Sequence, residues 1–402
     1  MHPTTRAVRA LYERYPYPEG PITLRIGFDV RRTLASIDAE RPTGRPIHVL
    51  DAGCGRGAGV LGMALAQPEV HFLGIDLNRT ALSEARANAK ARGLTNVRFA
   101  EVDLETLEGL QAPEDGFDVI VSSGVLHHLV DPHTSLDQLA SHLAPWGVID
   151  LMVYAQAGRV GIERVATQLA DVKPHAPIEE RLAAARAWVA ADPFDPDYVE
   201  ASRLGDVEFV DRYLHPQFVS YTVDELHTLV ESKRLRAIRW TDRAAWGLGA
   251  DAPSDLWAHA RGVESQVQPR MFDLLLSHRN NAPRAWPTLE ACDSAGWALN
   301  GEGQLQRGIR TLWAGGRDTP IQWSHPSRPD LPLAQGPAAS AAQFLTRIHR
   351  PFRGSELLEH LVSDGFRPHL GRQLLRTLAA LDVLWCPHEV DLRTHEAVPL
   401  AA

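Results

Sequence analysis

The sequence predicts an α/β protein built on a doubly wound, mostly parallel sheet, and three observations carry that prediction. Short apolar runs of strand length alternate with helix-length segments from residue 47 to residue 154. The first run leads straight into three glycines at alternate positions, Gly53, Gly55 and Gly57. Three successive strand ends finish in aspartate, at Asp51, Asp76 and Asp103.

Residues 6–14 read as a short helix that stops at Tyr15-Pro16-Tyr17-Pro18-Glu19-Gly20-Pro21, because a residue before proline is pushed out of the α region. Strand one (47–51) enters the glycine loop and a helix over 58–66. Strand two (71–75) precedes a helix over 79–92, capped by Asn78 and ended by Gly93. Strand three (97–102), strand four (117–121), a helix over 134–143 and strand five (148–154) continue the alternation. In such a sheet ligands bind at the carboxyl ends of the strands, the edge on which the three aspartates fall.

After Tyr154 the alternation breaks. Arg159 to Ala191 reads as helices, followed by the Pro/Asp-rich Asp192-Pro193-Phe194-Asp195-Pro196-Asp197. A helix over 223–230, capped by Thr222, and a strand over 236–240 then resume the pattern, so residues 155–220 read as a helical insertion, either a lid over the substrate or a packing appendage. Residues 1–250 are expected to form one domain and residues 251–402 a C-terminal accessory domain. Within the latter, Ser324-His325-Pro326-Ser327-Arg328-Pro329-Asp330-Leu331-Pro332 reads as a linker. Amphipathic helices over 355–362 and 370–378, then a strand over 381–385, give a winged-helix-like order, with docking or dimerisation favoured over DNA reading.

Composition is that of a folded protein, 44% hydrophobic and 23% charged over 402 residues. The net charge of -9 opposes a life of binding nucleic-acid phosphates. Cys54, Cys292 and Cys386 share no paired spacing, which fits a reducing cytoplasm. No run approaches the roughly 20 apolar residues a membrane helix needs.

The glycine loop belongs to a nucleotide cofactor, but Gly53, Gly55 and Ala58 also satisfy the dinucleotide fingerprint. Asp51 separates the two. Two residues ahead of the first glycine, it would repel the pyrophosphate of NAD, whereas S-adenosylmethionine carries an α-ammonium and a sulfonium. Asp76, about 20 residues beyond the loop, suits ribose hydroxyls, and Asp103 an adenine amino group. With Phe117 to Ser122 and Gly124-Val125-Leu126-His127-His128-Leu129, this ordered set resembles the class I S-adenosylmethionine-dependent methyltransferases over residues 45–155.

The resemblance implies a Rossmann-like core with S-adenosyl-L-methionine as cofactor, held by Asp51, Gly53, Cys54, Gly55, Gly57, Asp76, Leu77, Asp103, Leu104 and Ser122. It places His127 and His128, just past strand four, between cofactor and substrate, as cofactor-orienting residues or as a base. Tyr154, ending strand five, points a hydroxyl into the same space as a third catalytic candidate. Tyr12, Tyr15 and Tyr17 precede strand one, a segment that folds over the cofactor edge in many relatives, so Tyr15 and Tyr17 are either substrate-binding candidates or rings that pack a Pro-rich arm onto the surface. Arg159 either holds a substrate carboxylate or is a solvated helix-start arginine. No metal is expected, because nothing completes a site with His127, His128 and His133. Ser122-Ser123-Gly124-Val125 stands where enzymes that methylate amino groups of nucleic acids and glutamine often carry Asn-Pro-Pro-Tyr.

The resulting expectation is methyl transfer to a small molecule or to a protein or peptide side chain, in the cytoplasm, with no membrane or nucleic-acid partner and with homodimerisation open. Two rivals stand beside it: a catalytically silent cofactor-binding scaffold acting through a partner, and an NAD-dependent oxidoreductase.

Overall fold

The computed structural model describes residues 2–20, 22, 24, 29–231, 234–241, 243, 245–248, 255–285, 287–299, 304–307, 321–325, 328–333, 335–348, 350–381 and 383–387. The chain forms two compact units: Met1–Gly27, Ala39–Thr241 and Asp255–Asn281 make the first, and Phe28–Asp38, Asp242–Ser254 and Ala282–Ala402 the second.

The first unit is a seven-stranded sheet. Its strands are β1 (Ile47–Ala52), β2 (Val70–Asp76), β3 (Val97–Glu101), β4 (Phe117–Ser123), β5 (Leu143–Tyr154), β6 (Leu235–Trp240) and β7 (Met271–His278), in the order β3-β2-β1-β4-β5-β7-β6. β1 to β5 pair in parallel, while β7 runs antiparallel between β5 and β6. The apolar runs make this register obligatory, because Val49, Leu50, Val119, Ile120, Val148 and Ile149 are all buried. At the amino end of β4 the buried Asp118 carboxylate accepts from Arg41 Nε at 2.7 Å, Trp146 Nε1 at 2.7 Å and the His48 N–H at 2.8 Å. Asn78 caps the helix Arg79–Ala91 through the Ala81 N–H, and Thr222 with Glu225 forms a capping box on Val223–Val230.

The structure corrects the expected domain boundary at residue 250. Met271-Phe272-Asp273-Leu274-Leu275-Leu276-Ser277-His278 enters the first unit's sheet, because a run buried at Phe272, Leu274, Leu275 and Leu276 needs neighbours on both sides. Between Tyr154 and Thr222 stand four helices, Val160–Ala170, Ile178–Ala190, Pro196–Ser202 and Asp206–Tyr213. They close over their own core of Val165, Leu169, Phe209, Tyr213 and Leu214, which Leu11 of the N-terminal helix Pro3–Arg14 joins.

In the second unit the helices Gly336–Leu345, Gly354–Ser363 and Pro368–Ala380 enclose Trp297, Phe352, Leu357, Leu361, Leu375 and Leu378. A three-stranded sheet joins Gly296–Leu299, Phe352–Arg353 and Leu384–Trp385. Asp382, inside the strand expected over 381–385, lies outside the described residues. The expected linker is also corrected. Ile321–His325 and Arg328–Leu333 pair antiparallel, with Trp323 opposite Leu331, and Pro326 and Ser327 lie outside the described residues. The prolines are tolerated because Arg328–Leu333 is an edge strand, with one side that donates to no neighbour. Among the described residues no helix is long and apolar enough to cross a membrane, and no three His, Cys, Asp or Glu side chains gather as a metal-holding group.

Candidate active site

Where β1 ends, the chain turns through Gly53 (φ 89°), Gly55 (φ 52°) and Gly57 (φ 86°). The N–H groups of Gly53 and Cys54 both donate to the Ile75 carbonyl, at 2.8 and 2.9 Å, which ties the loop to β2. A Cβ on Gly53 would stand 2.5 Å from Val125 Cγ2, so the loop has no room there for a larger residue. Gly55 is the opposite case: its left-handed backbone would aim a Cβ into open space, with no atom within 4 Å. Such a backbone is bare towards a ligand.

The carboxylates expected around this loop are present. Asp76 Oδ2 accepts the Gly55 N–H and Oδ1 the Asn78 N–H, both at 2.8 Å. Asp51 is buried, and burial followed by the charge of Asp76 raises its carboxyl to about 7. Burial also raises Asp76, against the N–H bonds from Asn78, Gly55 and Leu77. Two acids set this deep are unfavourable until a cation joins them. Asp103 Oδ1 accepts the Glu105 N–H at 3.0 Å, and Leu104 is buried beside it in the chain. Burial, Asp51 and Asp76 hold the Cys54 thiol well above its ordinary value, leaving it unreactive. Ser122 Oγ is sealed within β4 with no hydrogen-bond partner. An open glycine, the Asp76 carboxylate with a spare acceptor site and a buried acid awaiting positive charge fit S-adenosylmethionine.

Immediately after β4 a 3₁₀ turn, Leu126–His128, buries both histidines. The His127 ring stacks on Tyr154 with centroids 3.7 Å apart and 27° between planes. The Arg159 guanidinium carbon lies 3.6 Å from the same Tyr154 centroid, so the two groups must occupy opposite faces of the phenol. His128 lies 4.3 Å from His127 and 3.9 Å from His215, centroid to centroid. His128 Nδ1 meets the Gln217 carbonyl at 2.8 Å; a carbonyl only accepts, so Nδ1 carries the proton. His215 Nδ1 accepts the Gln217 N–H at 3.1 Å, which puts its proton on Nε2, buried without a partner. Both His127 nitrogens are likewise unpartnered. Burial first, then His128, Arg159 and His215, hold His127 well below its ordinary value, and burial brings His128 to about 4. Burial thus favours the neutral imidazoles and moves the titration of His127 and His128 below neutrality.

Beside Asp51, a second carboxyl raised towards neutrality was not evident in the sequence. The Tyr12 hydroxyl donates to Asp211 Oδ1 at 2.8 Å, and the Tyr12 ring lies 5.5 Å from His215. Burial and Glu208 raise the Asp211 carboxyl to about 6, against Tyr12, Arg159 and Arg212. Tyr12 and Asp211 are both half-buried. Burial also pushes the Tyr154 phenol up to about 12. Tyr17, 36% exposed, is close enough to bias the Tyr12 and Tyr154 phenols. Tyr15 packs against the inserted helices and feels Glu179 and Asp206, the packing alternative for this segment.

Comparison with known proteins agrees with this geometry. A family model for a methyltransferase domain matches residues 45–172. An uncharacterized protein of Synechococcus sp. is 30% identical over 259 residues, 60% of this chain and 61% of that protein. The trans-aconitate 2-methyltransferase of Deinococcus radiodurans is 34% identical over 124 residues, 31% of this chain and 43% of that enzyme. The chain thus spans less than two thirds of the length of these relatives. The structure of PKMT2 from Rickettsia typhi matches with a TM-score of 0.66 at 16% identity, over 92% of this chain and 77% of that one, a likeness of fold. Residues 45–172, set in this strand order behind this glycine loop, are a methyltransferase domain of the class I, S-adenosylmethionine-dependent family.

Proposed function

We propose that the chain transfers a methyl group to a small molecule or to a protein or peptide side chain held at the Tyr154–His127 cluster. One observation carries the reading: Val125, whose side chain fills the space before Gly53, is two residues ahead of His127, so the cofactor loop and the cluster are contiguous. When bound, S-adenosylmethionine supplies a methyl carbon on a sulfonium, already activated for displacement. The chain then has to position the acceptor, exclude water and take a proton.

Residues 217–221 run across the carboxyl ends of β4 and β5, where the Val219 N–H donates to the His127 carbonyl at 2.9 Å and the Tyr221 N–H to the Tyr154 carbonyl at 3.0 Å. In this reading the helices before them are a lid over the acceptor, hinged on those bonds. Neutral His127 offers either ring nitrogen to orient the acceptor. A released proton passes to the Tyr12 oxygen while the Tyr12 proton moves to Asp211, so the carboxylate ends protonated and no charge is left on the phenol. A cytoplasmic setting fits the three free thiols.

The test is mass spectrometry of small molecules retained by the purified protein, followed by transfer of labelled methyl to candidate acceptors. S-adenosylhomocysteine or S-adenosylmethionine should be retained. A retained nicotinamide dinucleotide would support the oxidoreductase reading instead. Cofactor binding with no turnover on any acceptor would favour a scaffold.

A further inference from the structure

We infer that Arg159 marks a carboxylate subsite, on which the methyl acceptor docks an anionic group. The inference rests on the methyltransferase reading for the identity of its ligand as the acceptor, while the chemistry rests on the arginine itself. Arg159 is 7% exposed, and its Nε is sealed with no hydrogen-bond partner. Among the described residues no carboxylate lies within ion-pair distance of it, whereas Arg212 holds Glu200 at 3.0 Å and also Glu208. Burial lowers the Arg159 pKa, the mark of a cation that its surroundings do not compensate.

The groups bearing on this guanidinium are few. Tyr154 covers one face. Asp211 and Glu163 are near enough to be felt but not to pair, and Asp211 is engaged by the Tyr12 hydroxyl. Glu163, one turn along the same helix, has Oε1 buried with no partner, so it has not closed on Arg159 in an i,i+4 bridge. A planar guanidinium matches a carboxylate two oxygens at a time. One cation beside two acids suits a single negative charge; a phosphate dianion would meet more repulsion than this site relieves.

The experiment is calorimetric titration of the full chain, with and without S-adenosylhomocysteine, using benzoate, its neutral isostere benzamide, and phenyl phosphate as probes. Benzoate should bind at least tenfold more tightly than benzamide, and more tightly than phenyl phosphate. Arg159→Met should lose the benzoate preference while binding S-adenosylhomocysteine within threefold of the wild type, which certifies the fold. Equal affinity for benzoate and benzamide would overturn the subsite, as would benzoate binding that appears only in Glu163→Gln, since Glu163 would then be the partner of Arg159. Tighter binding of phenyl phosphate would overturn the choice of carboxylate. Failure of S-adenosylhomocysteine to bind would count against the methyltransferase reading alone, because the benzoate–benzamide comparison in the wild type needs no cofactor.

Discussion

The Tyr12 hydroxyl and the Asp211 carboxylate, 199 residues apart in sequence, share a 2.8 Å hydrogen bond that joins the N-terminal helix to the inserted helices. With the Asp211 carboxyl raised to about 6, its charged form grows in as pH rises through 6, and a proton relay ending there gives the rate an acidic limb at that pH. Asp211→Asn keeps an oxygen for the Tyr12 hydrogen bond but cannot take a proton. It should lower turnover by about a hundredfold and erase the limb. A pH–rate profile with rate and limb intact would remove Asp211 from the chemistry.

Asp51, raised to about 7 by burial and by Asp76, should couple cofactor binding to proton release. A cation settling near it favours the carboxylate, so affinity for S-adenosylmethionine should climb with pH up to about 7 and level off above. Titrations in buffers of different ionisation enthalpy measure the released proton directly. The same elevation acts on folding. Between the ordinary carboxyl range and about 7 the folded state binds more protons than the unfolded, so the cofactor-free protein should lose roughly 2 to 4 kcal/mol across that window as pH rises. Denaturation midpoints that do not move between pH 5 and 8 would contradict this.

How much of this was legible depended on whether the physics is local. The glycine loop could be read because positive φ and close approach are demands on single residues, and the structure places all three glycines in the left-handed region. His127 and His128 could be located because they follow β4 directly. Their protonation could not, since it comes from burial in the folded chain, with Arg159 adding to it through charge. Asp211 sits in an ordinary amphipathic helix, and only tertiary pairing with Tyr12 gives it a role. β7 was missed because an antiparallel return breaks the strand–helix alternation on which the reading relied.

Asp118 carries stability rather than chemistry. Asp118→Ala would leave Arg41 Nε, Trp146 Nε1 and the His48 N–H without their acceptor at the start of β4. Urea unfolding should show a loss of about 3 to 5 kcal/mol.

His127→Asn should separate orientation from base catalysis. With its imidazole held well below neutrality by burial, His127 contributes no limb near pH 6. The variant should weaken the acceptor's KM or turnover while the profile keeps its shape. Loss of the acidic limb in this variant would return the base role to His127.

The most direct test of the central claim is calorimetric titration of S-adenosylhomocysteine and of NAD into the wild type, Asp76→Ala and Gly55→Val. Wild type should bind S-adenosylhomocysteine and not NAD. Asp76→Ala should lose roughly 1.5 to 3 kcal/mol as charge-assisted hydrogen bonds are removed, and Gly55→Val should abolish binding by placing a side chain in the open space before the loop. Binding of NAD with no binding of S-adenosylhomocysteine, or Gly55→Val binding like the wild type, would contradict it.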